Sequence, residues 1–280
     1  MDATVKSLHI YPVKGFKGIE LESATLTDKG FAYDRHWMLI NPKNQFVTQR
    51  QLPRFALVKV ELSEHDLIMS MDGEQCVVAL NTDVDHDKTK EIFNAIIWND
   101  TCEVIAESEE VSEWLTKKLQ APWPLRLVRM RDGFNREVDQ SNKLGEGASV
   151  TTVFADGFPF LIANQASLNA LNEFTNRQFR MDRFRPNIVI ETSQPFIEHR
   201  AKKLIIGDTE FSLDFPCERC VVTTIDQDTA EKDTQQEPLK SLIKLNPMPN
   251  KTNAAAFGQN ASLLKGKGKT LTKAARCELE

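Results

Sequence analysis

The first third of the chain alternates between hydrophobic and polar residues over short segments, a spacing that indicates β-strands and not helices. Glycine-rich and polar turn signals such as KGFKG, DKG and MDGEQ separate the segments. The pattern therefore predicts a β-meander or barrel. The predicted strands lie in SLHIYPV, IELESATLT, HWMLIN, QFVTQR, FALVKVELS, DLIMSMDG and QCVVALN.

Two segments follow helical spacing. Residues 109–120 place their large apolar side chains on one face, and Ser108 is suited to cap the start of the helix. Residues 165–177 show the same amphipathic pattern. Both helices are expected to pack against sheets.

The second half of the chain returns to strand-like segments, in NIVIET, KKLIIGD, TEFSLDF and CVVTTID, and Gly207 with Asp208 is a hairpin signal. A proline-punctuated joint near Pro122 is the predicted domain boundary, and residues 131–149 are predicted to form a surface loop. The predicted fold class is mainly β (α+β), with two β-barrel-like domains and a few flanking helices. The domains are predicted at residues 1–121 and 122–265, followed by a frayed basic tail at 266–280.

Composition narrows the function class. The 280 residues include 35 Lys and Arg against 40 Asp and Glu, giving a net charge of −5, which excludes a strongly basic nucleic-acid binder. No apolar run approaches the ~18 residues of a membrane span, and the N-terminus lacks the pattern of a signal peptide. The five cysteines are too few for a secreted disulfide scaffold, so we expect reduced thiols and a cytoplasmic location.

The most informative local motif is a CxxC formed by Cys217 and Cys220 between two predicted strands. A structural zinc site needs four ligands, and the other cysteines stand singly. A thioredoxin-type couple needs a helix N-terminus, whereas a strand is predicted to follow. Two small apolar residues at a strand edge remain an alternative. The fourth interpretation is one thiolate that binds a soft metal, with Arg219 beside it to bind an anion.

Three further motifs carry cations and small polar groups. RFRPN contributes Arg185 and Asn187, whose guanidinium and amide groups suit phosphate or heterocycle edges. YPVKG contributes Lys14 and Gly15, and DRHW contributes Arg35. Each cation taken alone would more often be an exposed or ion-paired surface residue. Their joint occurrence favours an anion site.

Taken together, YPVKGFKG, DRHWMLI, VTQRQLPR, FRPNIVI, IGDTEFSL and PCERCVVTTID resemble the MOSC family, which joins an N-terminal β-barrel domain to a MOSC domain. The resemblance extends from about Val5 to Gln259, and PCxRCxxTTxD after RFRPN is its most specific part. The members it suggests are bacterial reductases of N-hydroxylated bases and the mitochondrial amidoxime-reducing components.

The resemblance implies a molybdenum cofactor (Mo-molybdopterin) at the junction of the two domains. The implied cofactor-binding residues are Cys220 as the metal ligand and catalytic residue, Glu218 and Arg219 along the cofactor, Arg185 and Asn187 on the pterin side, and Lys14, Gly15 and Arg35 at the phosphate end.

The implied activity is the reduction of small N-hydroxylated compounds, of the hydroxylaminopurine or amidoxime class. Because the sequence shows no cysteine spacing typical of an iron–sulfur cluster, a separate electron-donor protein is the expected partner, and neither nucleic acid nor membrane is. The alternative is a sulfur-carrier or molybdenum-cofactor-handling protein that forms a persulfide on Cys220. A plain binding module for a phosphate-bearing ligand is a third hypothesis.

Overall fold

A computed structural model describes residues 1–80, 91–138 and 149–280. Strands dominate the fold, as the sequence predicts, and the described residues contain three α-helices. The helices are α1 (Glu109–Lys118), α2 (Gln165–Thr175) and α3 (Leu239–Leu245). The strands are β1 (Asp2–Ile10), β2 (Ile19–Leu21), β3 (Ser23–Thr27), β4 (Gly30–Phe31), β5 (Trp37–Ile40), β6 (Lys59–Leu62), β7 (Asp66–Met71), β8 (Glu74–Ala79), β9 (Ile92–Ile97), β10 (Asp100–Ala106), β11 (Arg126–Met130), β12 (Arg136–Glu137), β13 (Thr151–Thr152), β14 (Phe160–Asn164), β15 (Ile188–Glu191), β16 (Lys203–Ile206), β17 (Thr209–Arg219), β18 (Pro247–Met248), β19 (Lys251–Lys265), β20 (Thr270–Thr272) and β21 (Arg276–Leu279).

Seven strands close into a barrel in the order β14, β15, β1, β21, β16, β17 and β19, and β14 pairs with β19 to complete the circle. Large apolar side chains fill the interior, among them Leu8, Phe160, Ile188 and Phe211, each 0% exposed. Closure leaves these strands paired on both sides, which removes the exposed edges of an open sheet.

The barrel draws strands from both ends of the chain. Strand β1, which the sequence places in the first domain, pairs with β15 and β21. The prediction of a frayed tail at residues 266–280 is wrong, because β20 pairs with β3 and β21 pairs with both β1 and β16. The reason is an alternation over four residues, in which β21 buries Cys277 and Leu279 and exposes Arg276 and Glu278.

A second group of sheets lies between these barrel strands in sequence. Strands β5, β11, β10 and β9 form one sheet, and β6, β7 and β8 form another. Helix α1 covers their shared core with Leu115, as its predicted spacing indicates. The hydroxyl of Ser108 accepts a hydrogen bond from the Val111 N–H at 3.4 Å, which confirms the predicted cap.

Two local predictions differ in outcome beside the candidate site. Gly207 and Asp208 form the two-residue hairpin between β16 and β17, as predicted. The strand predicted over CVVTTID is wrong, because Val221–Thr224 forms a 3-10 helix. The Thr223 hydroxyl donates to the Cys220 carbonyl at 2.9 Å, a side-chain bond to the backbone that competes with sheet pairing.

Two further observations concern predicted peripheral features. Most of the surface loop predicted at residues 131–149 lies outside the described residues, although its Arg136–Glu137 segment forms strand β12. Within the described ranges, no helix is both long and apolar enough to cross a lipid bilayer.

Candidate functional site

A cavity opens where the barrel meets the loops that lead into the other sheets, and it holds roughly 870 Å³ of space including its open mouth. We define the N-terminal wall by its lining residues Lys14, Gly15, Arg35, Thr48, Gln49 and Arg50. We define the C-terminal wall by Ala155, Asp156, Gly157, Phe158, Leu161, Phe184, Arg185, Asn187, Cys217, Arg219, Cys220, Val222 and Asn260.

The long strand β17 delivers the CxxC motif to the cavity. Its pairing with β19 is irregular between Pro216 and Glu218, so that Cys217 lies in a bulge. Cys220 follows the last residue of the strand and precedes the 3-10 helix. Bulges of this kind redirect side chains next to functional sites. As a result both thiols face the same cavity.

All five cysteines are free thiols. Cys76, Cys102 and Cys277 lie in β8, β10 and β21, away from the cavity lining. Among the described residues, no group of three or more His, Cys, Asp or Glu side chains is arranged to hold a metal ion. The structural zinc site considered from the sequence therefore finds no further ligands in this part of the chain.

Arg219 joins the CxxC motif to the C-terminal wall. Its Nη1 donates to the Cys217 sulfur at 3.0 Å and its Nη2 donates to the Phe184 carbonyl at 2.8 Å. Burial raises the pKa of Cys217, against the opposing effect of Arg219. The Nε of Arg219 is buried without a hydrogen-bond partner, and no described carboxylate forms a salt bridge with this guanidinium. Arg219 thus carries a positive charge at the site that no described carboxylate neutralises, together with a buried donor that has no partner.

Arg185 is the second cation of this wall without a carboxylate partner. Its Nη1 donates to the Phe16 carbonyl at 2.7 Å, and its guanidinium lies 4.2 Å from the centre of the Tyr11 ring. Burial lowers the pKa of Arg185 to about 10, so the group stays charged near neutral pH. The C-terminal wall therefore carries two positive charges that no described carboxylate neutralises.

Arg35 is paired with a carboxylate. Its Nη1 donates to Asp34 Oδ2 at 2.5 Å and its Nη2 donates to the Arg185 carbonyl at 2.9 Å. The Asp34 and Arg35 side chains are 2% and 11% exposed, so this is a buried ion pair and not a surface one. Its Coulombic attraction is offset by the cost of removing both charges from water.

Asn187 lines the cavity, yet the protein already uses its amide. The Nδ2 donates to Asp34 Oδ2 at 3.0 Å and to the His9 carbonyl at 3.2 Å, and the Oδ1 accepts from the Leu161 N–H at 3.1 Å. These bonds join β1, β14 and the Asp34 loop at the residue that precedes β15. The arrangement favours a positioning role for Asn187 over the direct cofactor contact that the resemblance implies.

Lys14 is held by the opposite wall. Its Nζ donates to Asp156 Oδ1 at 2.5 Å and to the Phe154 carbonyl at 2.8 Å. Burial lowers the pKa of Lys14, and the neighbouring Asp156 opposes that effect. A phosphate on Lys14 would therefore have to share the ammonium with Asp156 or displace it.

The backbone conformation and the close packing at position 15 require a glycine. Its φ is +90°, and a Cβ at this position would lie 2.8 Å from Cδ2 of Phe55. The Gly15 carbonyl accepts a hydrogen bond from Gln49 Nε2 at 2.6 Å. A larger residue would disturb both the turn and this contact across the N-terminal wall.

Glu218 is the one predicted site residue that lies outside the cavity lining. Its carboxylate accepts a hydrogen bond from Lys251 Nζ at 2.7 Å and its side chain is 43% exposed. The Glu218 backbone pairs with Ala256 of β19, just after the irregular pairing at Cys217. The resemblance implies a cofactor contact for Glu218, whereas its side chain lies outside the cavity lining.

The structure brings the remaining predicted residues to one cavity, namely Lys14, Gly15, Arg35, Arg185, Asn187, Arg219 and Cys220. The cavity also contains Asp156, Gln49 and Arg50, which were not among the predicted site residues. Gln49 and Arg50 belong to the VTQRQLPR motif, which carries the resemblance without assigning them a role, and the Asp156–Gly157 pair has the pattern of an ordinary turn.

The donor set fits an anionic group that binds through sulfur. A free thiol at Cys220 suits a soft metal such as molybdenum, which also prefers sulfur from a dithiolene. The orphaned Nε of Arg219 and the charge of Arg185 suit a phosphate. The residues present therefore fit a molybdenum cofactor.

Comparison with known proteins agrees with this geometry. Residues 2–122 match the model of the MOSC N-terminal beta barrel domain, and residues 149–268 match that of the MOSC domain. The chain is 30% identical over 250 residues to mitochondrial amidoxime-reducing component 1 of Mus musculus, covering 85% of this chain and 70% of the relative. It is 31% identical to the Homo sapiens protein of the same name, covering 91% and 77%.

A molybdenum cofactor sulfurase of Danio rerio is also 30% identical over 257 residues. That match covers 85% of this chain, which spans 30% of the sulfurase. Two matching domain models and relatives that align over most of both chains place the protein in one family. The chain belongs to the MOSC family, with a MOSC N-terminal beta barrel domain followed by a MOSC domain.

Proposed function

We propose that the protein is a molybdenum-cofactor-dependent reductase of N-hydroxylated compounds. The observation that carries the proposal is the cavity in which Cys220 lies with Arg185 and Arg219, two guanidinium groups that lack a carboxylate partner among the described residues. The similarity to amidoxime-reducing components over most of both chains supports it.

In this proposal different residues of the C-terminal wall have different tasks. Cys220 would hold the metal, and Arg185 and Arg219 would bind the anionic part of the cofactor with charge-assisted hydrogen bonds. When bound, the cofactor would supply two-electron oxygen-acceptor chemistry. Phe158 and Leu161 line the same wall and would exclude water from one side of the site.

The net reaction balances with an external reductant. An amidoxime, RC(NH2)=NOH, takes up two electrons and two protons and gives the amidine RC(NH2)=NH and water. The N–O bond breaks and the oxygen leaves in the water molecule. The two electrons would come from a separate electron-donor protein.

The test is reduction of benzamidoxime to benzamidine by protein produced in a host that makes the cofactor, with reduced methyl viologen as the electron source. The wild type and the Cys76→Ala control, whose thiol lies outside the cavity, are expected to form benzamidine. Cys220→Ser is expected to form none. Equal activity of Cys220→Ser and wild type would contradict the proposal.

A sulfur-carrier role is the second candidate, because the chain also aligns with part of a molybdenum cofactor sulfurase. In that case Cys220 would carry a persulfide, and the intact protein would be about 32 Da heavier, the mass of one sulfur atom. Mass spectrometry of Cys220→Ser and wild type distinguishes the candidates. A persulfide on the wild type without bound molybdenum would favour the carrier.

A further inference from the structure

Trp98 lies next to the cavity lining, in contact with Arg50 and Asp156 of its rim, and has an unfavourable backbone conformation. Trp98 occupies the turn between β9 and β10 with a φ of +55°. Left-handed φ is uncommon and unfavourable for a large side chain, so it persists where surrounding contacts impose it. Glycine or asparagine would satisfy the turn at lower cost. The contacts of the indole side chain are therefore the candidate explanation for a tryptophan at this position.

The contacts of Trp98 tie the hairpin to the cavity. Its Nε1 donates to Asp156 Oδ1 at 3.2 Å, and the Arg50 guanidinium lies 4.8 Å from the ring centre. Both of these residues line the cavity. The Phe46 ring lies at 4.8 Å with an interplanar angle of 58°. Even so, 40% of Trp98 is exposed, so part of the indole is open at the rim.

Asp156, whose carboxylate binds the indole N–H, has one oxygen that receives no hydrogen bond from the described residues. Asp156 Oδ1 accepts from both Lys14 and Trp98, whereas Oδ2 receives no hydrogen bond from the described residues. The rim thus combines an aromatic surface with a carboxylate acceptor. A flat conjugated ring that bears amino N–H donors would complement both features.

We propose that Trp98 is a specificity-determining residue that selects planar conjugated N-hydroxylated substrates over aliphatic ones by stacking against their ring. This inference rests on the proposed function and concerns the preference between aromatic and aliphatic members of its substrate class. Asp156 Oδ2 accepts a hydrogen bond from the substrate amino group. Aliphatic amidoximes make the hydrogen bond to Asp156 but have no ring to stack against Trp98.

The experiment compares kcat/KM for benzamidoxime and acetamidoxime in molybdenum-loaded protein. Trp98→Leu removes the aromatic face and keeps an apolar side chain, while Trp98→Phe keeps a ring and removes the Nε1 donor. Phe174→Ala is the matched control, because Phe174 is an aromatic residue on α2 that is 52% exposed and, unlike Trp98, makes no described ring contact with a residue of the cavity lining. Thermal unfolding checks that each variant is folded.

An aromatic pair contributes about 0.5–1.5 kcal/mol beyond area burial, which corresponds to roughly a twofold to tenfold preference. We expect the benzamidoxime preference to fall by this factor in Trp98→Leu, with acetamidoxime unchanged. Trp98→Phe should keep most of the preference, and Phe174→Ala should keep all of it. Calorimetric binding of benzamidine and acetamidine, which does not depend on turnover, should show the same order.

Two results would overturn the inference while leaving the proposed function intact. One is an unchanged benzamidoxime preference in Trp98→Leu, and the other is an equal loss for both substrates with equal loss of amidine binding. Failure of fully loaded wild type to reduce either amidoxime would instead overturn the proposed function and with it the substrate assignment.

Discussion

The two walls of the cavity differ in how their cations are balanced. On the N-terminal wall, Lys14 and Arg35 each contact a carboxylate at 2.5 Å. On the C-terminal wall, Arg185 and Arg219 donate to backbone carbonyls and a thiol, with no salt bridge to a described residue. The difference shows that Arg185 and Arg219 on the C-terminal wall keep a charge available to an anion, whereas Lys14 and Arg35 do not. On the N-terminal wall, Arg50 is a further cation without a salt bridge to a described residue, and it lies against the Trp98 ring.

Pairing with a carboxylate also decides whether a cation contributes mainly to the stability of the fold or to the binding of an anion. A cation whose carboxylate partner is buried is held by the protein and contributes little net attraction to a ligand. A cation that donates to neutral carbonyls keeps its charge and attracts an anion through a low-dielectric cavity. We therefore expect substitution of Asp34 or Arg35 to alter stability, and substitution of Arg185 or Arg219 to alter cofactor affinity.

The largest expected effect concerns the Asp34–Arg35 pair. Asp34 also accepts hydrogen bonds from the Tyr11 N–H and Asn187 Nδ2, so Asp34→Ala would leave a buried guanidinium and two donors unpaired. Breaking a buried pair in this way costs about 3–5 kcal/mol, which urea unfolding would measure. Asp28→Ala, which removes an exposed partner of Lys267, should cost less than about 1 kcal/mol. Similar losses of stability in Asp34→Ala and Asp28→Ala would contradict the distinction between the buried pair and the exposed pair.

The next effect concerns Arg219. Its substitution by Gln should weaken cofactor binding roughly tenfold to a hundredfold, because hydrogen bonds to charged groups contribute about 1.5–3 kcal/mol. The double variant Lys14→Met with Asp156→Asn removes an ion pair as a unit, so affinity should change less than about threefold. Cofactor release followed by pterin fluorescence measures both. An equal loss in the double variant would show that Lys14 leaves Asp156 to bind the phosphate.

These predictions depend on side-chain pairings, and the sequence allows some of the residues involved to be predicted but not others. Cys220, Arg185 and Lys14 could be found because each belongs to a short motif with a distinctive residue order. Asp156 could not, because its contacts are with Lys14 and Trp98, 142 and 58 positions away in the chain. The charge balance of the site depends on these long-range contacts, which no local pattern specifies.

The fold shows the same division. The alternating segments and the two amphipathic helices were predictable, since both rest on local periodicity. The role of β21 was not, because four residues are too short a pattern and its partner β1 lies at the other end of the chain. The predicted strand over CVVTTID failed because β-branched threonines also bond locally to the backbone, as Thr223 does.

A smaller effect is expected where Lys14 is released from its partner. Asp156→Asn alone would remove the carboxylate that neutralises Lys14 and would add a neutral amide beside it. Affinity for inorganic pyrophosphate should then rise about threefold to fivefold, on the scale of ~1 kcal/mol for one exposed charge. Titration calorimetry of wild type and variant measures it. Weaker binding in Asp156→Asn would mean that Asp156 orients Lys14 toward the anion.

The smallest effect is a pH dependence at a surface network between the two parts of the chain. Hydrogen bonds from Arg180 and Lys17 lower the pKa of Asp228 from 3.8 to about 2. The folded carboxylate releases its proton more readily than the unfolded one, so its stabilisation is present above pH 3.8 and disappears as the pH falls through about 2.

The matched variant is Asp228→Asn, which keeps the shape of the side chain and removes its charge. Because the group is 54% exposed, the difference in stability from wild type should stay below about 1 kcal/mol at pH 6. Thermal unfolding as a function of pH should show the two proteins converge near pH 2. A constant difference from pH 6 to pH 2 would contradict the assigned pairing.

The central claim is that the Cys220 thiolate holds molybdenum in this cavity, and elemental analysis tests it most directly. Protein from a cofactor-producing host is expected to contain about one molybdenum atom per chain, as one thiolate ligand per site implies, and Cys76→Ala should match it. Cys220→Ala is expected to contain almost none while remaining folded. A full complement of molybdenum in folded Cys220→Ala would contradict the account.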